Sequence, residues 1–176
     1  MSAAWHRFAL VDAAQDAPTL RDELLHQAAS AGVPARSLFD GQPEQAEAAH
    51  APWLLSVPRD ARLPELTAWL DHRHRQGSAV SWLAAEADFD TLFAHLQAQL
   101  DVVLPDGTLG LLRFWDARVF IRLPHVLALD QQIALMGPVL EWQVALDGQV
   151  SHLSRAALVE QVERHAMEGA DADADA

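Results

Sequence analysis

Two arginines and an aspartate stand inside an otherwise apolar run, Leu112-Arg113-Phe114-Trp115-Asp116-Ala117-Arg118-Val119, that Pro105-Asp106-Gly107 introduces. A fold that buries the aromatic pair must also find partners for the charges beside it, because a polar group left unpaired out of water costs about 1–3 kcal/mol or more. Guanidinium and carboxylate meet this need through two parallel charge-assisted bonds. The segment therefore predicts an internal ion-pair network of Arg113, Asp116 and Arg118, joined by Asp12 at the end of an early apolar stretch. As an extended strand, the run places Arg113 on the side of Leu111 and Trp115, with Leu112 and Phe114 on the other. On that reading Arg113→Ala leaves buried acceptors unpaired and costs about 2–5 kcal/mol.

The rest of the chain alternates strand and helix signals. Trp5 to Val11 reads as a strand ending at Asp12, and residues 18–31 read as a helix opened by Pro18 and closed at Gly32. A short strand from Ala35 to Phe39 ends in the Asp40-Gly41 turn, and Glu44 to His50 suits a helical turn or two. Pro52 to Pro58 brackets another apolar strand, followed by a helix from Arg62 to Arg75 with Leu63, Leu66, Trp69 and Leu70 on one stripe. Ser78 to Ala84 predicts a further strand, and Phe89, Leu92, Phe93, Leu96 and Leu100 repeat at helical spacing through 88–100.

Two hairpins follow from turn chemistry. Asp101–Leu104 and Thr108–Trp115 flank Pro105-Asp106-Gly107; Val139–Leu146 and Gln149–Leu153 flank Asp147-Gly148. Between them, residues 117–135 read as helix in two pieces around Pro124. Ser154 is the expected cap of a last helix that turns Leu158, Val159 and Val162 inward. Together these elements predict one α/β domain over residues 1–167, a mixed β-sheet covered by helices, with residues 168–176 an acidic Ala/Asp tail too weakly apolar to order. At 176 residues and 51% hydrophobic content the chain has one core's worth of material.

Charge narrows the function. Twelve arginines, no lysine and 25 acids leave a net charge of -13, which disfavours nucleic acid and anionic membrane as partners. The lack of cysteine removes disulfides, thiol nucleophiles and cysteine-ligated metals. No basic start leads into a long apolar run and no stretch of about twenty apolar residues occurs, so no secretory signal or membrane span is expected and the cytoplasm is the expected location.

Catalytic, cofactor and metal motifs are not expected either. The nine histidines lack ligand spacing; His72 and His74 fall on opposite sides of their helix. No Gly-rich phosphate loop, nucleophile elbow or dinucleotide fingerprint is present. Six tryptophans are mostly core material, with Trp5 and Trp142 the two candidates for partner contact.

The ordered set Phe8-Ala9-Leu10-Val11-Asp12-Ala13-Ala14-Gln15-Asp16, Ser37-Leu38-Phe39-Asp40-Gly41, Ala51-Pro52-Trp53-Leu54-Leu55, Phe89 through His95-Leu96, Leu104-Pro105-Asp106-Gly107, the Leu112–Val119 run and Gly137-Pro138 before Trp142 carries a resemblance. The chain resembles the effector-adaptor, or effector-chaperone, family of bacterial type VI secretion systems, known as domain of unknown function 4123. It departs from the family pattern at Ala117, where proline is common, and in its short region after Ser154. The resemblance implies a non-enzymatic adaptor whose partners are a toxic effector and the VgrG spike. A toxin-binding, immunity-like module is the alternative reading, and a hydrolase with a site assembled from distant residues a more remote one.

Overall fold

Alternation along the first strand divides the molecule. In the computed structural model, which describes the backbone of residues 5–59 and 62–174 and side chains as far as residue 168, β1 (His6–Asp12) is buried on both faces from Phe8 onward. Phe8 and Leu10 enter one core; Ala9 and Val11 enter another. Successive strand residues point to opposite faces, so a strand apolar at every position must be covered on both sides.

The elements after β1 are α1 (Thr19–Ala31), β2 (Ala35–Ser37), β3 (Pro52–Ser56), α2 (Pro64–Gly77), β4 (Val80–Ala85), α3 (Phe89–Ala98), β5 (Asp101–Val103), β6 (Leu109–Leu111), α4 (Ala117–Phe120), α5 (Leu123–Val126), α6 (Leu129–Met136), β7 (Val139–Leu146), β8 (Gln149–Ser154) and α7 (Arg155–Ala174). Short 3-10 segments cover Ala13–Asp16 and Pro43–His50. Six strands form one sheet in the order β2-β3-β1-β4-β7-β8, and each of its five pairings is antiparallel. The expected α/β layering in a single domain is what the chain forms.

One face of the sheet carries α1 and α2. Leu20, Leu24 and Ala28 of α1 and Leu66 and Leu70 of α2 close over Ala9, Val11, Leu55 and Val80. The two helices are tied by Glu23, which accepts from Arg73 Nη2 at 2.5 Å and from Trp69 Nε1 at 3.2 Å. The other face carries α3 to α6, with Leu92, Phe93, Leu96, Phe114, Phe120 and Leu135 packed on Phe8, Leu10, Leu54 and Leu83. Gln97 of α3 donates to the carbonyls of Leu38 and Asp40, fixing the helix over the turn after β2.

Trp142 lies wholly inside this second core, its ring 4.9 Å from Phe120 and 5.8 Å from Phe114. It therefore offers no surface to a partner, contrary to the expectation from sequence; its place on β7 opposite Leu83 turns it inward.

Three local expectations change. The first hairpin forms a separate two-stranded sheet, and its second strand stops at Leu111 rather than running to Trp115. Phe114 and Trp115 are both buried, which adjacent residues of a one-sided strand cannot be, so the chain turns instead with the Asp116 N–H on the Arg113 carbonyl at 3.1 Å. Ser154 ends β8 and donates its hydroxyl to Glu141 instead of capping the last helix. That helix, α7, buries Leu158 but leaves Val159 and Val162 exposed, and it runs on to Ala174 through the stretch expected to lack order. Extending an existing helix adds a hydrogen bond for each residue fixed, and alanine is the best residue for it. Residues 175 and 176 of the expected tail lie outside the described residues.

Candidate functional site

The four charged residues singled out by sequence come from two places that the sheet brings together. Asp12 closes β1, and Asp116 sits in the turn between β6 and α4. Asp12 is fully buried; its carboxylate accepts from the Ala14 N–H at 3.2 Å and from Gln15 Nε2 at 2.9 Å, capping the 3-10 turn. Asp116 is also buried, accepts from the Arg118 N–H at 3.0 Å, and so caps α4. The same carboxylate takes a two-pronged bond from the Arg118 side chain, Nε at 3.0 Å and Nη2 at 2.7 Å.

Arg113 is the weaker member. Its Nη2 stands 3.6 Å from Asp116 and the side chain is half exposed, so it assists the pair without a hydrogen bond of its own. It is not bonded to Asp12, and the expectation of a buried Arg113 is corrected by the turn that ends the strand before it. The carboxylates are inside and the guanidinium groups lie at the surface.

The two acids titrate in opposite directions. Burial pushes Asp12 above its ordinary value, opposed by its hydrogen bonds to Gln15 and Ala14 and reinforced by the nearby Asp116 charge. The Arg118 guanidinium holds Asp116 below its ordinary value against the effect of burial. A carboxylate neutralised in this way is a structural tie.

Beside this network lies a surface hollow of about 320 Å³ lined by Phe39, Glu44, Glu47, Leu111, Arg113 and Trp115. Trp115 forms its inner wall, edge-on to Phe39 at 5.8 Å and to Phe114 at 5.3 Å. From its rim the β5–β6 hairpin projects apolar side chains into solvent: Val103 is 68% exposed and Leu109 71%, with Leu104 and Leu111 also exposed. Paired across the hairpin, Val103 and Leu109 place their side chains on one face. Contiguous exposed apolar groups of this kind mark docking surfaces on soluble proteins. Sequence reasoning identified the hairpin and missed its exposure; the signal was a turn flanked by Val103, Leu104 and Leu109 in a segment too short to reach the main sheet.

Trp5 stands elsewhere, half-buried on the α1–α2 face of the sheet, with the Arg59 guanidinium 3.8 Å above its ring. Among the described residues no group of three or more histidine, aspartate or glutamate side chains is placed to hold a metal ion, and no helix is long and apolar enough to cross a membrane.

A family model described as Domain of unknown function (DUF4123) matches residues 7–134, well over half of the chain. The matched span includes the Asp12–Asp116–Arg118 network and the exposed hairpin, and ends before β7. Neither the curated proteins nor the solved structures hold a match.

Proposed function

The chain belongs to the family described as Domain of unknown function (DUF4123), and from that premise we propose that it is a non-catalytic adaptor that binds a type VI secretion effector and helps load it onto the VgrG spike. The observation that carries this reading is the β5–β6 hairpin, whose exposed Val103, Leu104, Leu109 and Leu111 stand beside the Trp115 hollow. An adaptor must cover an apolar segment of its cargo without reacting with it, and this needs a complementary surface on a rigid support. The Asp116–Arg118 tie and the cap on α4 fix the turn that follows β6 in the chain. Glu44, Glu47, Asp101 and Asp106 give the same region an acidic rim, suited to faster encounter with a basic partner.

The test is affinity purification of the tagged full chain from its native host, with identification of the chains that come with it and a spike-deletion strain as control. The reading expects a toxin and the spike together in the first strain and the toxin alone in the second. Folded protein enriched for neither overturns it. A toxin neutralised by the chain with no spike attached in either strain assigns the immunity-like role instead.

A further inference from the structure

A second surface of different chemistry lies on the opposite face of the sheet. There α1 and α2 cover Ala9, Val11, Leu55 and Val80, but the cover ends past Val80: Trp82 and Ala84 are half-buried and Gln143 of β7 is exposed. β7 also shifts register against β4, pairing Val139 with Ala85 and Glu141 with Ala84, so that Leu140 falls between the pairs. Leu140 joins Trp5, Trp82 and Ala84 in lining a groove of about 520 Å³.

Arg7 of β1 is the charged group of this groove. Its guanidinium stacks 4.9 Å over the Trp82 ring, its Nε is buried without a hydrogen-bond partner, and it makes no ion pair among the described residues. Arg59, stacked on Trp5, lines an adjoining hollow of about 290 Å³ that shares Trp5 and Arg7 with the groove. The acid at the far end, Glu141, accepts from the Ser154 hydroxyl at 3.2 Å through one oxygen, and its other oxygen stands against His152 of β8, buried without a hydrogen bond. A guanidinium stacked on an aromatic face keeps its N–H edge free for bidentate bonding to a carboxylate.

We propose that this groove docks an acidic peptide segment of a partner chain, with a carboxylate on Arg7 and a neighbouring aromatic or aliphatic side chain between Trp5 and Trp82. Charge complementarity selects the occupant: Glu141, the acid that lines the groove, meets His152 and Ser154 of β8, and Arg7 is the lining charge left without an ionic partner among the described residues. The size and apolar lining match ordinary ligand pockets and exceed what a lone inorganic anion fills. The groove stands independently of the adaptor reading, since its chemistry is the same whatever the hairpin holds.

The test uses the full chain and two end-blocked peptides, Leu-Asp-Phe-Glu and its amide counterpart Leu-Asn-Phe-Gln, titrated by calorimetry. The acidic peptide is expected to bind roughly tenfold tighter, the difference one charge-assisted fork supplies. Arg7→Gln is expected to abolish that preference, and Arg122→Gln, an exposed arginine outside the groove, to leave it intact. Should Arg7→Gln fail to fold by circular dichroism, Arg59→Gln at the exposed rim must weaken the preference instead. Equal binding of the two peptides, binding of neither, an unaltered preference in the arginine variant that folds, or inorganic phosphate binding as tightly as the acidic peptide overturns the proposal.

Discussion

Asp116 and Arg118 form a two-pronged ion pair in which the carboxylate is buried and the guanidinium stands largely in solvent, with prongs of 3.0 and 2.7 Å. The asymmetry decides which partner the fold depends on. Removing the acid takes away the α4 cap as well as the pair, and leaves two arginines that water can solvate. Asp116→Ala is therefore expected to cost about 2–3 kcal/mol in urea denaturation, most of it from the cap and the buried end of the pair. Arg113→Ala, half exposed and 3.6 Å away, is expected to cost less than about 1 kcal/mol. An equal loss in the two variants would return Arg113 to the buried role that its sequence context implied.

The neighbouring acid answers pH with the opposite sign. Because burial raises the Asp12 value in the folded chain, its contribution to stability is complete below the ordinary value of 3.8 and is lost as pH rises through the raised one. Asp116, held down by Arg118, contributes fully above 3.8 and loses its contribution as pH falls through the depressed value. Asp12→Asn, which keeps an acceptor for the Ala14 N–H, is thus expected to gain on the parent protein as pH goes from about 4 to about 7. Asp116→Asn is expected to lose most near neutrality and least in acid. Denaturation curves of both variants across that range check the signs; parallel profiles would show that the two carboxylates share one environment.

Elements set by local periodicity and turn chemistry were legible in the chain. Asp147 and Gly148 both take positive φ, 51° and 76°, as an Asp-Gly hairpin turn demands, and β7 and β8 meet across them in register. Gly32 ends α1 in the left-handed region at φ 64°, as its position after the apolar stripe implied. What escaped were the outcomes of competition between distant parts. Strand alternation could not tell that Phe114 and Trp115 would both find room in the core beside Phe39 and Trp142, and that demand bends the chain at Arg113. The ionic partners were correctly drawn into one neighbourhood, yet which arginine takes the fork depends on the turn. Trp5 and Trp142 look alike in sequence, yet Trp142 is turned into the core by its pairing with Leu83 on β4, while Trp5, just before β1, stays half-buried.

Gly137 shows a constraint that no periodicity contains. It stands at φ 50° and ψ -115° after α6, and a Cβ there would lie 2.2–2.7 Å from three atoms of the His95 ring, whose Nε2 is 2.9 Å from the Leu135 carbonyl. Gly137→Ala must strain the backbone and displace a ring held by hydrogen bonding, and is expected to cost about 3 kcal/mol. Adding His95→Ala is expected to relieve the steric part and leave the conformational part. Thermal and urea midpoints of the single and double variants separate the two, and a Gly137→Ala protein as stable as the parent would remove His95 from the α3–α6 junction.

The exposed hairpin allows stability and docking to be separated within one variant. Val103 and Leu109 are two-thirds or more exposed and lie outside both cores, so replacing both with serine removes little buried area. The double variant is expected to unfold within about 0.5 kcal/mol of the parent, as surface changes generally do. If the hairpin holds the effector, the same variant is expected to lose most of the effector from affinity purification, because the interface is stripped of its central apolar pair while the Asp116–Arg118 support stays in place. On that same reading Asp116→Asn is expected to give the converse, a less stable chain whose hairpin keeps its side chains and retains effector when assayed well below its unfolding transition. Full effector capture by the Val103→Ser, Leu109→Ser protein would move the docking surface away from the hairpin, and the Arg7 groove would then be the surface to vary next.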